Sequence, residues 1–261
     1  MSLSWAKAWA PEHRAVPVKL LCLPHAGGTA SRYHRWTSLV PPSIEIVPLE
    51  LNGRGDRMSH GFYASFAEAL DDLTRRAVSV LEPGDSFAIF GHSMGAYIAL
   101  ELERRLESLG TRADRLFLSG RGTPAYHNVL SRPARELSDQ ELIAGLDAYG
   151  GLPQAVAGHE LMRTLFLPII RADFHLLEDG ARSIDERVPV RSPLVILNGK
   201  DDAAAQQAPP GAWEELSVSG VEFHSFAGGH FFVDEHLQSI IQLIVEKSKK
   251  ELEKDGVSFQ G

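Results

Sequence analysis

A five-residue stretch before the middle of the chain limits its fold more than any other. Gly91-His92-Ser93-Met94-Gly95 lies between an apolar β run, Phe87-Ala88-Ile89-Phe90, and a long amphipathic segment, Ala96 to Leu109. Gly-x-Ser-x-Gly between strand and helix forms a nucleophile elbow, a strained turn that lifts a serine at the C-terminal edge of a sheet. Side chains at the two flanking positions would collide with neighbouring backbone, so both are glycine. The turn also points the Met94 N–H and the following helix N-terminus at any anion formed beside Ser93. Such a serine can carry an acyl group.

An elbow serine works with an acid and a histidine, which follow it in that order along the chain. Pro193-Leu194-Val195-Ile196-Leu197 reads as a strand and ends in the turn-rich Asn198-Gly199-Lys200-Asp201-Asp202. Asp201 and Asp202 compete as the acid; folds with such an elbow usually place it three residues after the loop glycine, here Gly199, which favours Asp202. Val221 to Phe226 alternates as a strand and ends in Ala227-Gly228-Gly229-His230-Phe231. His230 therefore falls in a glycine loop just before a last helix, Val233 to about Lys254. A neutral imidazole, with an ordinary pKa of about 6.5, takes the serine proton while a carboxylate fixes its tautomer. A second anion-binding N–H is expected near Ala26, in the Pro24-His25-Ala26-Gly27-Gly28 loop after the strand Val18 to Leu23. His25 is expected to shape that loop rather than transfer protons.

Strands near 18–23, 44–49, 86–90, 115–119, 193–197 and 221–226 alternate with helical segments. That order predicts an α/β fold, a mostly parallel central sheet with helices on both faces. A helical segment is expected around Ser31 to Leu39. Ser65-Phe66-Ala67-Glu68 is a capping box opening a helix to about Leu81. Ile98, Leu102, Leu106 and Leu109 form an apolar stripe that Gly110 ends. Residues 120–190 are too many for a simple crossover. There Ser138-Asp139-Gln140-Glu141 caps a helix to Tyr149, Gly150-Gly151-Leu152-Pro153 breaks it, and a second helical stretch, His159 to Glu178, is interrupted by Pro168. Leu142, Ile143, Leu146, Leu161, Leu165, Phe166, Ile169, Phe174 and Leu177 give this pair more apolar surface than solvated helices need. They either pack on the sheet or line a channel.

The charge balance, 26 Lys+Arg against 34 Asp+Glu, gives a net −8 and argues against nonspecific nucleic-acid binding. No apolar run approaches the ~18 residues of a membrane span. The Met1-Ser2-Leu3-Ser4-Trp5-Ala6-Lys7 start lacks the apolar core of a signal peptide. The single cysteine, Cys22, lies within a strand and suits a reducing cytoplasm. The eleven histidines show no metal-ligand spacing. These features predict a cytoplasmic protein with one domain over 1–261, without metal or cofactor, and a monomer is the default expectation.

Several separated blocks together resemble the type II (external, editing) thioesterases of polyketide and nonribosomal peptide synthesis. They are Leu23-Pro24-His25-Ala26-Gly27-Gly28, Asn52-Gly53-Arg54-Gly55-Asp56-Arg57, the elbow, Leu118-Ser119-Gly120-Arg121, Gly150-Gly151-Leu152-Pro153, Leu167-Pro168-Ile169-Ile170-Arg171-Ala172-Asp173-Phe174 and Gly228-Gly229-His230-Phe231-Phe232. Asn52 stands where the family generally has proline, and Ala203-Ala204-Ala205 replaces its Pro-x-Val after the acid. The family's acid precedes a tryptophan by eleven positions, as Asp202 precedes Trp213.

The resemblance implies an α/β-hydrolase fold with a helical lid inserted at 121–190. It implies a catalytic set Ser93, Asp202 and His230, with Met94 and Ala26 supplying the oxyanion hole. Its substrate would be an acyl group on the phosphopantetheine arm of an acyl or peptidyl carrier domain, with no cofactor of the enzyme's own. His25, Gly27, Arg54, Arg57 and Phe231 become candidates for contact with substrate or carrier, and Arg32, Arg35 and Arg121 share the same sheet edge. Carrier domains are usually acidic, so such arginines would have to outweigh the chain's own negative charge locally. The implied task is removal of stalled or misprimed groups from a synthase. Alternatives are medium-chain release from a fatty acid synthase, a general carboxylesterase, and a non-catalytic carrier-binding protein.

Overall fold

Each strand of the sheet sends alternate residues to opposite faces, and two separate apolar layers follow from that period of two. In a computed structural model, which describes residues 16–123, 130, 132–148, 150, 160–183, 188–207, 209 and 211–254, six strands form one sheet. They are β1 (Val18–Leu23), β2 (Ile44–Pro48), β3 (Phe87–His92), β4 (Arg115–Ser119), β5 (Leu194–Gly199) and β6 (Val221–Phe226). Their order is β2-β1-β3-β4-β5-β6 and every neighbouring pair is parallel. Leu21, Leu23, Ile89, Leu116, Leu118 and Ile196 face one layer, with α1 (Phe66–Val80), α2 (Met94–Ser108), α3 (Asp139–Ala148) and α4 (Glu160–Ser183). Leu20, Cys22, Phe90, Phe117 and Val195 face the other, with Tyr33, Trp36, Phe232, Ile240 and Ile244. The latter come from a 3-10 turn (Ala30–Trp36), α5 (Phe232–Glu235) and α6 (Leu237–Lys254).

The chain order places the site. After β1 the chain moves outward to β2 and returns to β3 on the other side of β1, so the connections diverge between β1 and β3. In open parallel sheets that divergence opens a crevice at the strands' carboxyl ends. Leu23 is in register with Gly91, which sets the loop after β1 beside the elbow after β3.

Several expectations change in detail. The segment expected as helix at Ser31 to Leu39 is the shorter 3-10 turn. Leu109, expected on the buried stripe of α2, is 62% exposed, because Ser108 ends the helix and the chain turns through Gly110 at φ +85. The last helix is broken at His236 into α5 and α6. Pro168 does not interrupt α4, which runs on to Ser183. Burial of Leu167, Ile169, Ile170 and Phe174 holds the helix together across the missing N–H.

Of the expected insertion at 121–190, the turn Ala134–Glu136, α3 and α4 are described. The predicted ends at Tyr149 and His159 and the Gly151-Leu152-Pro153 break lie outside the described residues, as does the Met1–Lys7 start. Both capping boxes form. Glu68 N–H donates to Ser65 Oγ at 3.1 Å, while Glu68 reaches back to Ala64 N–H at 2.7 Å. Glu141 N–H donates to Ser138 Oγ at 3.2 Å, and Ser138 N–H to Glu141 Oε2 at 2.8 Å.

Candidate active site

Among the described residues Ser93 is the one non-glycine with positive φ, at φ 55 and ψ −114. Its N–H donates to the Ser119 carbonyl at 2.8 Å, so β4 holds the elbow from one side. A Cβ on Gly91 would lie 2.1 Å from the Gly95 carbonyl oxygen, and one on Gly95 would lie 2.2 Å from that of Leu23. Both glycines are sterically required. Met94 opens α2, so its amide is one of the helix's unpaired first-turn donors.

The acid and histidine loops hold each other. A Cβ on Gly199 would lie 2.5 Å from the Gly229 carbonyl oxygen, and Asp201 N–H donates to the Gly228 carbonyl at 3.0 Å. Asp202 points inward at 1% exposure, whereas the competing Asp201 is exposed. Asp202 Oδ1 and Oδ2 lie 3.1 and 3.0 Å from His230 Nδ1, and His230 Nε2 lies 2.9 Å from Ser93 Oγ. The carboxylate accepts from Nδ1–H, which leaves the Nε2 lone pair for the serine hydroxyl. The arrangement can move the Ser93 proton onto His230 as Oγ attacks a carbonyl.

Ser93 and His230 are both buried. His25, Ala26, Leu146, Ile170, Phe174 and Phe231 enclose a cavity of about 20 Å3 at Ser93. Leu146 comes from α3 and the Ile170 and Phe174 pair from α4, so α3 and α4 both wall the site. Leu165, Phe166, Pro168 and Ile169 face a second, larger cleft of about 490 Å3 opposite Met58 and Phe62. Leu161 and Leu165 are exposed, whereas Leu142 and Leu177 pack in the core.

The remaining expected residues divide sharply. His25 Nδ1 accepts from Arg32 at 2.6 Å, which leaves its proton on Nε2. Burial, with help from Arg32, His230 and Arg54, pushes its pKa well below the ordinary histidine value, so it stays neutral. Phe231 packs edge-on against both His25 and His230. Gly27 turns at φ +75, where an added Cβ would lie 2.6 Å from Ile170 Cγ1.

Arg54, expected at the carrier-facing rim, is instead 2% exposed and ion-paired with Asp173 inside the protein. Arg121 is also buried, stacked over Tyr97. Arg57 is partly buried between Asn52 and Asp72. Arg32 and Arg35 both reach Asp234, and Arg35 stays half exposed.

Sequence reasoning missed three contributors. Asp173 donates no charge to the surface; it accepts from Gly27 N–H and Arg54. Arg171, in the same block, donates to the carbonyls of Ala134 and Leu137 and to Asp139, fixing α4 to the start of α3. His92 Nδ1 lies 2.9 Å from Ser119 Oγ, and burial drives its pKa well below the ordinary value. The dense Leu-Pro-x-x-Arg-Ala-Asp block was a signal for the first two, without showing what they touch.

Residues 18–247 match the Thioesterase domain family. The chain belongs to that family. A "Probable cadicidin biosynthesis thioesterase" of Streptomyces griseus is 30% identical over 236 residues, 90% of this chain and 63% of the relative. The chain thus spans somewhat under two thirds of that relative's length. Among solved structures, ClbQ from the colibactin nonribosomal peptide/polyketide pathway superposes with TM-score 0.79 at 29% identity, covering 92% of this chain and all of ClbQ. The type II thioesterase BorB of the borrelidin biosynthetic cluster gives 0.76 at 32%, covering 92% and 95%. This thioesterase has the α/β-hydrolase fold of those neighbours, and its family membership makes it a hydrolase of thioesters. Among the described residues no group of three or more His, Cys, Asp or Glu could hold a metal ion, and no helix is long and apolar enough to cross a membrane.

Proposed function

We propose that this thioesterase clears acyl groups from the phosphopantetheine arms of acyl or peptidyl carrier domains, as an editing enzyme of a polyketide or nonribosomal peptide synthase. One observation carries the mechanism: Ser93 Oγ, His230 and Asp202 stand in a chain of hydrogen bonds of 2.9 to 3.1 Å. Ser93 Oγ attacks the thioester carbonyl and passes its proton to His230 Nε2. The N–H groups of Met94 and Ala26 hold the oxyanion, each donor of this kind being worth roughly a hundred- to thousandfold in rate. The carbon–sulfur bond breaks, and the pantetheine thiol leaves with the proton from His230. A water then gives its proton to the same nitrogen and attacks the acyl-serine, releasing the acid and restoring the serine. The reaction balances with water alone and needs no cofactor.

The chain's own acidity leaves recognition of an acidic carrier to local cations. With Arg54 and Arg121 buried, that role falls to Arg32, Arg35 and Arg57 at the rim. Arg35→Glu is expected to raise KM for a carrier-bound acyl group and to leave a short carrier-free thioester untouched. Equal loss on both substrates overturns the carrier assignment. Similarity to thioesterases of biosynthetic clusters favours editing over medium-chain release. An editor accepts many acyl groups, so a sharp optimum at one saturated chain length contradicts the reading. Faster cleavage of oxygen esters than of matched thioesters would favour a carboxylesterase, and lack of serine-probe labelling at Ser93 a non-catalytic binding protein. The low cysteine content fits a reducing cytoplasm, and the net charge of −8 fits a protein that avoids nucleic acid.

A further inference from the structure

The loop that carries the Ala26 amide is held from outside as well as from within. His25 to Gly28 form a tight turn closed by Gly28 N–H donating to the His25 carbonyl at 2.9 Å, with Gly27 at φ +75. The central peptide, between Ala26 and Gly27, has no partner within the turn. Its N–H is taken by Asp173 Oδ2 at 2.7 Å, from α4. Arg54 donates to both oxygens of the same carboxylate and also to the Gly28 carbonyl at 3.2 Å. Asp173 is 0% exposed and Arg54 2%. One buried carboxylate thus joins the turn after β1, the loop around Arg54 and α4.

Stability alone does not call for this arrangement, because well-packed apolar side chains commonly replace a buried ion pair without loss. Apolar side chains cannot accept the Gly27 N–H or donate to the Gly28 carbonyl. The geometry also ties the turn to the helix that walls the site, since Ile170 both lines the Ser93 cavity and fills the space beside Gly27.

We infer that Asp173, with Arg54, is a positioning residue for the oxyanion hole: it fixes the turn that aims the Ala26 N–H and makes that aim depend on the seating of α4. The inference rests on the thioesterase mechanism proposed above and deepens it. A displacement of about 1 Å at a reacting group can cost roughly a hundredfold in rate.

The test compares Asp173→Asn and Arg54→Lys with the full-length wild type on a short carrier-free thioester. Active sites are counted by stoichiometric labelling of Ser93 with a fluorophosphonate. In both variants kcat per labelled site is expected to fall by roughly 10- to 100-fold, with KM within about threefold. The acidic limb of the kcat–pH profile is expected not to move. Affinity for a trifluoromethyl ketone analogue, whose adduct places an oxyanion in the hole, should fall in parallel with kcat. Wild-type kcat per labelled site overturns the inference, and a shifted acidic limb assigns the effect to the triad instead and overturns it too. Should the single variants fold poorly, Asp173→Leu/Arg54→Met removes the charges together; folded protein with low kcat per site supports the inference and wild-type kcat refutes it. A wild type that neither turns over thioester nor labels at Ser93 removes the thioesterase mechanism itself, an outcome separate from these.

Discussion

Ser93 occupies a backbone conformation that glycine adopts far more easily, and only chemistry explains a hydroxyl there. Strain of this kind costs on the order of 1–3 kcal/mol. Ser93→Gly should therefore raise stability by about 1 kcal/mol, since glycine's larger unfolded entropy offsets part of the relief, while thioester hydrolysis drops by several orders of magnitude. Urea unfolding beside an activity assay reads both, and a destabilised Ser93→Gly contradicts the strain. The residues of the elbow and of the two following loops were legible because their signals are local: flanking glycines, strand ends and chain order. Asp202 could be preferred over Asp201 only through the place the acid usually takes in such folds. Arg54 could not be read this way. Its burial is decided by Asp173, 119 positions further along, and nothing near Arg54 in sequence announces that partner.

At the scale of elements, caps were readable and continuity was not. Ser65 with Glu68 and Ser138 with Glu141 act within one turn of chain, so their residue types suffice. Pro168 obeys tertiary packing instead: its local preference predicts a break, yet the buried side chains around it keep α4 in one piece. Proline there leaves the Thr164 carbonyl without its helical donor on an exposed face. Pro168→Ala should restore that bond and raise stability by about 1 kcal/mol or more, measured as a higher denaturation midpoint. A lower midpoint would mean that proline at 168 is needed to seat Ile169 and Ile170. The same limit explains Leu109, whose helical phase fits the stripe although the helix has already ended.

Across the whole molecule, the strand sequence read as α/β gives the parallel sheet, and the divergence between β1 and β3 gives the site its place. The polar interior was less legible. Glu103 on α2 is fully buried, accepting from Ala113 N–H and Ser192 Oγ at the entries to β4 and β5. Burial raises its pKa to about 7. The folded state therefore holds this proton across a range, from about 4.5 to 7, in which the unfolded chain has released it. Stability contributed at this site falls as pH rises through that window, by about 3 kcal/mol at most. Glu103→Gln should grow more stable relative to wild type from pH 5 to pH 8, seen as a widening difference in Tm, and a constant difference contradicts the assignment. Above all these details stands the claim that Ser93 carries the acyl group. Its most direct test is acid-quenched mass spectrometry of the thioesterase mixed with an acyl thioester. The account predicts a transient adduct of the acyl mass on the peptide containing Ser93, absent in Ser93→Ala together with turnover. Undiminished hydrolysis by Ser93→Ala, or an adduct on another residue, would contradict it.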